Sequence, residues 1–167
     1  GNGYFKKEVG KQSIDFMLPD CFGFPASLPS LLAHSGIKGF STQKLTWGSA
    51  VGIPFSVGRW YGPDGKFVTA ALDAGSYNSR INEDLSESNY ILDRINKTGN
   101  QSGAFVDFRY YGVGDEGGAP TEGSVQWLET GLKGKGPVTV VSSPSDQIFR
   151  DLTPEQISKL PQYTGDL

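Results

Sequence analysis

The sequence predicts an α/β fold of β/α units with mostly parallel strands, broken by a β-hairpin insertion. Three observations predict it. Short apolar runs alternate with helical patterns along the chain, the arrangement of βαβ units around a parallel sheet. Gly62-Pro63-Asp64-Gly65 joins two β-rich runs, where Pro presets φ and Gly accepts the positive φ of a tight turn. The 23 glycines and 10 prolines among 167 residues exceed the roughly 12% of average usage, so elements are short and loops many.

The elements follow in order. The run 13–19, largely apolar and closed by Pro19, reads as a buried strand, and 20–25 as a loop. Ser27 is placed to cap a helix whose Leu28, Leu31 and Leu32, with Ile37 beyond the stop at Gly36, trace one face. Residues 39–43 are the next strand. The runs 54–61 and 67–72 are the hairpin, an excursion from the alternation. Across 83–97, Leu85, Tyr90, Leu92 and Ile95 are spaced as on an amphipathic helix, with 100–102 a loop. The run 104–111 reads as a strong strand, 112–120 as a long Gly-rich loop, and 121–124 as the opening of a helix bearing Val125, Leu128 and Leu132. Residues 138–141 are a further strand, and Ser145 caps a short helix through Phe149. The strands near 13–19, 39–43, 104–111 and 138–142 are then parallel neighbours. Loops after their C-terminal ends share one rim, which places Asp20 and Asp115 together. The close of the chain, an aromatic followed by a turn, reads as a sheet lacking its last neighbour, hence as a segment of a larger α/β domain.

Composition excludes several functions. Fifteen Lys and Arg against 18 Asp and Glu leave a net charge of −3, the wrong balance for a nucleic-acid domain or a polybasic membrane contact. One cysteine forms no intrachain disulfide, and with a single histidine it cannot close a structural zinc site, which takes about four N/S ligands. No apolar run reaches membrane-spanning length, and residues 1–8 hold no signal-peptide core. The compartment is not legible, with a periplasmic or secreted one favoured.

Among residues that can carry chemistry, Asp20 leads. A carboxylate at a strand end beside Phe22 and Phe24 can serve as nucleophile, base or metal ligand; it can equally cap its own turn. Asp115 and Glu116 lie in Gly112-Val113-Gly114-Asp115-Glu116-Gly117-Gly118, a loop that admits close backbone approach. No Gly-Lys-Ser/Thr follows, and its acids suit sugar hydroxyls or a cation rather than phosphate. The same loop also reads as a flexible connection. His34, late in its helix, reads as a structural cation at a helix C-terminus. Trp47, Trp60, Tyr61, Tyr110 and Tyr111 offer flat faces for a sugar ring or, more commonly, pack a core.

The stretch from Asp15-Phe16-Met17-Leu18-Pro19-Asp20-Cys21-Phe22-Gly23 to Pro29 resembles the nucleophile segment of glycoside hydrolase family 38 α-mannosidases, of the bacterial type. There an apolar strand ends in Asp, one residue, Phe-Gly and a helix. The likeness continues through Phe40-Ser41-Thr42-Gln43-Lys44-Leu45, Trp60-Tyr61-Gly62-Pro63-Asp64-Gly65, Tyr111-Gly112-Val113-Gly114-Asp115-Glu116-Gly117-Gly118-Ala119-Pro120 and Thr164-Gly165-Asp166-Leu167.

The resemblance implies that 1–167 is a fragment of a single catalytic domain, a seven-stranded β/α barrel with one zinc. The family retains anomeric configuration while hydrolysing α-mannosidic bonds of glycans. Asp20 then matches the nucleophile, which is also a zinc ligand. Phe22 matches a Phe lying against the bound mannose, Lys44 a site-contacting position where relatives carry Arg, and Asp115 a substrate-side acid. Lys44 keeps the charge without the planar fork of Arg. Phe24 stands where relatives often have His. The family's remaining zinc ligands, a His-x-Asp pair upstream and a His downstream, are absent from this sequence, and the general acid is expected beyond Leu167. The expected partners are a mannose-containing glycan and the remainder of the catalytic domain. This chain alone is expected to hold no zinc and to do no chemistry. A non-catalytic carbohydrate-binding α/β module is the alternative, and a complete small α/β protein of unrelated function the third.

Overall fold

The computed structural model describes residues 1–48 and 50–167. Helix α1 (Asn2–Val9) precedes strand β1 (Asp15–Met17), helix α2 (Leu28–His34) and strand β2 (Gly39–Ser41). A 3-10 helix (Lys44–Trp47), β3 (Val57–Tyr61), β4 (Phe67–Ala71) and a second 3-10 turn (Leu85–Glu87) follow. The chain continues through α3 (Asn89–Ser102), α4 (Glu122–Lys133), α5 (Gln147–Asp151), α6 (Pro154–Lys159) and β5 (Gln162–Thr164). One five-stranded sheet results, in the order β1-β2-β4-β3-β5, with three parallel pairs and the antiparallel pair β3–β4. No described helix is long and apolar enough to cross a membrane.

Alternation along the strands builds a core on each face. Phe40, Trp60, Val68 and Ala70 join Phe24, Leu32, Leu45 and Leu72 on one side. The rings of Phe24 and Phe40 meet edge-on at 4.9 Å, and Phe40 lies 5.1 Å from Trp60. Such pairs contribute about 0.5–1.5 kcal/mol each beyond their burial. Trp60 satisfies its indole N–H on the Gly165 carbonyl at 2.9 Å. On the other side Val57 and Ala71 pack with Ala104, Ile148, Phe149 and Leu160. Covered on both sides, β2 is buried at every position, as parallel strands are.

Several expectations need correction. The strands β3 and β4 are no excursion: β4 pairs with β2 and β3 with β5, so the two lie inside the sheet. The run 104–111 joins no ladder, and the Val106 N–H turns back onto the Ala104 carbonyl at 3.0 Å. Both edges of β4 are occupied over residues 69–71, and the backbone of this run meets the chain beyond β4, where the Tyr110 N–H donates to the Ala74 carbonyl at 3.0 Å. Residues 138–141 form no strand either; the Val138 N–H bonds to the Ser86 carbonyl in the second 3-10 turn.

Helix boundaries also shift. In place of a helix over 83–97, Asp84 caps the 3-10 turn by accepting the Ser86 N–H at 2.9 Å, and α3 starts at Asn89. It runs through the expected loop 100–102 to a left-handed Gly103. Its buried face is Ile91, Thr98, Gly99 and Ser102, while Tyr90 is exposed. Phe105 packs over bare Gly99, where a Cβ would come within 2.2 Å of the ring. Leu31 points to solvent, and Val125 and Leu132 are partly exposed beside buried Leu128. Ser27 and Ser145 make no cap bond; the Ser145 hydroxyl donates to Asp15 instead, at 2.7 Å.

Candidate active site

The parallel strands β1, β2 and β4 end at one rim, and each hands a functional side chain to it. Past β1, the Leu18 N–H continues the ladder onto the Ser41 carbonyl at 3.0 Å. The buried Gln43 amide donates to the Pro19 carbonyl at 2.9 Å. Asp20 therefore follows a strand end held at two successive residues, and its side chain is 54% exposed.

Past β2, Lys44 opens the 3-10 helix with its side chain only 8% exposed. Its Nζ lies 3.3 Å from Asp20 Oδ1. Three rings surround the same ammonium: Trp47 at 3.7 Å from its centroid, Tyr77 at 5.1 Å and Phe22 at 5.8 Å. A buried ammonium without an anion is costly, so the carboxylate and the ring faces together account for its place here. Phe22 is 73% exposed and meets Trp47 edge-on at 6.2 Å.

Past β4, the Tyr77 hydroxyl donates to Asp115 Oδ1 at 2.5 Å. That bond, then burial and the charges of Asp115 and Asp20, push the Tyr77 hydroxyl up to about 12, so it stays a donor. Gly114 makes the contact possible, since a Cβ there would stand 1.8 Å from the Tyr77 ring. Asp115 itself takes the left-handed region, φ 68°, a rarely populated conformation for a side-chain-bearing residue.

The structure thus brings together Asp20, Phe22 and Lys44, with Asp115 joined to them through Tyr77. Tyr77 lay outside the sequence expectations; its signal was an aromatic in a Gly-containing loop after a parallel strand. A cleft of about 460 Å³ opens beside Phe22, Lys44, Trp47, Val51, Asp166 and Leu167. A second groove, about 360 Å³, runs between α3 and the segments 104–111 and 138–143; neither cleft is lined by Asp20 or Asp115, and only the first is lined by Phe22 and Lys44.

Of the other flat faces, Trp60 is core, Tyr61 meets Phe67 at 5.1 Å with the rings tilted by 41°, and burial pushes the Tyr110 hydroxyl up. His34 lies by the β3–β4 turn, at the other end of β4 from this rim, where Nε2 is 2.8 Å from Asp64 Oδ2. Its place is structural: it ties α2 to that turn.

The arrangement is a half-exposed carboxylate with a fixed countercharge, an aromatic wall and a second acid held by a phenol. That suits a polyhydroxylated ring bearing an electrophilic carbon. A zinc ion of the kind the family resemblance implies does not fit these residues alone. Among the described residues no three His, Cys, Asp or Glu side chains converge, and Asp20 is ion-paired with an ammonium.

The chain matches the model of the glycosyl hydrolases family 38 N-terminal domain over residues 1–166. It is 36% identical to alpha-mannosidase G of Dictyostelium discoideum, across the whole of this chain and 15% of that protein. It is 32% identical to alpha-mannosidase 2C1 of Homo sapiens, again over its full length and 16% of the relative. It therefore spans under a fifth of the curated relatives it matches. A solved alpha-mannosidase from Enterococcus faecalis V583 shares the fold, with a TM-score of 0.59 at 18% identity over 97% of this chain and 19% of that one.

Proposed function

The chain belongs to the glycosyl hydrolase family 38 N-terminal domain family, and from that premise we propose that it is the nucleophile-bearing segment of a retaining α-mannosidase. Residues 1–167 form part of one catalytic domain, a seven-stranded β/α barrel that other parts of the parent protein complete. The observation that carries the reading is the Asp20–Lys44 pair at the C-terminal rim of the parallel strands, 3.3 Å apart and walled by aromatic rings.

Lys44 engages Oδ1 and leaves Oδ2 of Asp20 for attack on the anomeric carbon. The C–O bond to the leaving sugar breaks as the C–Oδ2 bond forms, and the leaving oxygen takes a proton from an acid supplied outside this chain. Water then gives a proton to the conjugate base of that acid and attacks the anomeric carbon as the C–Oδ2 bond breaks, which frees the Asp20 carboxylate and releases the sugar with its configuration retained. Phe22 offers its exposed ring to the mannose, and Asp115 accepts from a sugar hydroxyl. In this reading Asp20 is also one ligand of a zinc ion whose other ligands lie outside the chain; the steps above are carried by the carboxylate and do not pass through the metal.

Asp20→Asn in the intact parent is the test. The amide is nearly isosteric and a poor nucleophile, so turnover of an aryl α-mannoside at saturating zinc should fall by at least about a thousandfold with the fold intact. Near-normal turnover would remove Asp20 from the role.

A further inference from the structure

We propose that Trp47 is a positioning residue that sets the Asp20 carboxylate by clamping the Lys44 ammonium from beneath, which rests on the reading of Asp20 as nucleophile. Lys44 and Trp47 are the first and last residues of one 3-10 helix. With three residues per turn, side chains at i and i+3 eclipse, so the backbone itself stacks the indole on the lysine. Gly48, in the left-handed region at φ 97°, closes the turn directly after Trp47 and keeps the helix at this length. The outcome is the shortest cation–ring distance at the site, 3.7 Å, against 5.1 Å to Tyr77 and 5.8 Å to Phe22.

A tryptophan buried for stability would be hidden. Trp47 is 68% exposed, although its indole lies against a side chain that is itself buried. Its ring meets the Lys44 ammonium at 3.7 Å and Phe22 at 6.2 Å. The ring face restricts where Nζ can sit, and Nζ is the polar contact of Asp20 Oδ1. A flexible four-carbon lysine stem has no planar fork to fix a carboxylate, so the orientation a guanidinium would provide must come from outside the side chain. The Trp47 face provides it, and Phe22, 6.2 Å from the indole, lies 5.8 Å from the same ammonium.

The competing role for an exposed indole is a platform for the sugar, and kinetics separate the two. A clamp acts where the nucleophile is aimed, so its loss lowers kcat; a platform holds substrate, so its loss raises KM. In the intact parent enzyme, Trp47→Leu should lower kcat about tenfold with KM within about twofold, and Trp47→Phe, which keeps a π face, should restore most of it. In a Lys44→Met background, Trp47→Leu should change kcat by less than about twofold, because the group it acts through is gone. A raised KM at unchanged kcat, a failure of Trp47→Phe to rescue, or undiminished effects in the Lys44→Met background would each overturn the proposal. Where Trp47→Leu does not fold, Trp47→Met, which also removes the π face, takes its place in both backgrounds with the same outcomes expected. Asp20→Asn measured alongside keeps the failures apart: an active Asp20→Asn enzyme defeats the functional reading, whereas an inactive one with an unaffected Trp47→Leu defeats the clamp alone.

Discussion

At the residue scale the site depends on small, nameable bonds. Gln43 is fully buried and its amide holds the Pro19 carbonyl, one residue before Asp20. Gln43→Leu strips that acceptor of its donor, a loss of about 1–3 kcal/mol for a buried group. The expected outcome is a lower kcat with substrate affinity little changed, read from the kinetics of the parent on an aryl α-mannoside. On the opposite edge, Asp64 is held down to about 2 by the Ser30 hydroxyl, then the Lys66 amide, then His34. A carboxylate depressed in the folded state adds stability that is present above its ordinary value near 3.8 and lost as pH falls through about 2. Urea midpoints of the native and Asp64→Asn proteins should therefore differ at pH 5 and converge toward pH 2. Asp20 was legible because an Asp after an apolar run and before Phe-Gly is a specific local pattern. The Lys44 cage was not, since it depends on the 3-10 winding of 44–47 and on Tyr77 arriving from another loop.

At the element scale, Arg94 ties α3 to the segment after β4 and to the run 104–111. Arg94 forks onto both Asp107 carboxylate oxygens at 2.8 and 2.9 Å and reaches the Asp73 carboxylate at 2.8 Å. Burial works against its charge, and the two aspartates more than reverse that, raising its pKa. Arg94→Met leaves Asp107 buried and unpaired and should cost about 3–5 kcal/mol, seen as a lower urea midpoint. Gly114→Ala should push Tyr77 off Asp115, because the new methyl would overlap the ring. Its expected signature is a raised KM, with unfolding little altered. Strands β1 and β2 were legible as short runs of β-forming residues, the first closed by Pro19, although β1 is partly exposed where a buried strand was expected. The runs 104–111 and 138–141 have the same β-rich composition and still make no ladder, since β-propensity measures fit to a pleated neighbour and none is available to them here. Helix α3 was displaced because Asp84 caps a separate turn and Gly103, rather than Asn100, stops the helix.

At the scale of the whole molecule, the order β1-β2-β4-β3-β5 is what gathers residues 20, 44, 77 and 115 from distant parts of the chain. The α/β class was readable from the alternation of elements; Asp115 was expected to follow a parallel strand, and it joins the rim through Tyr77 instead. The central place of β3 and β4 was not: a tight Pro-Asp-Gly turn announces that two strands pair, and says nothing of what pairs with their outer edges. The family was readable from the motifs in order along the chain, and its model spans residues 1–166. The central claim is that Asp20 becomes covalently bonded to the sugar. A slow-reacting fluorinated mannosyl fluoride, incubated with the intact parent enzyme, should trap that ester, and proteolysis with mass spectrometry should find the added sugar on the peptide containing Asp20. Label on a different carboxylate, with Asp20 unmodified in the inactivated enzyme, would contradict the account.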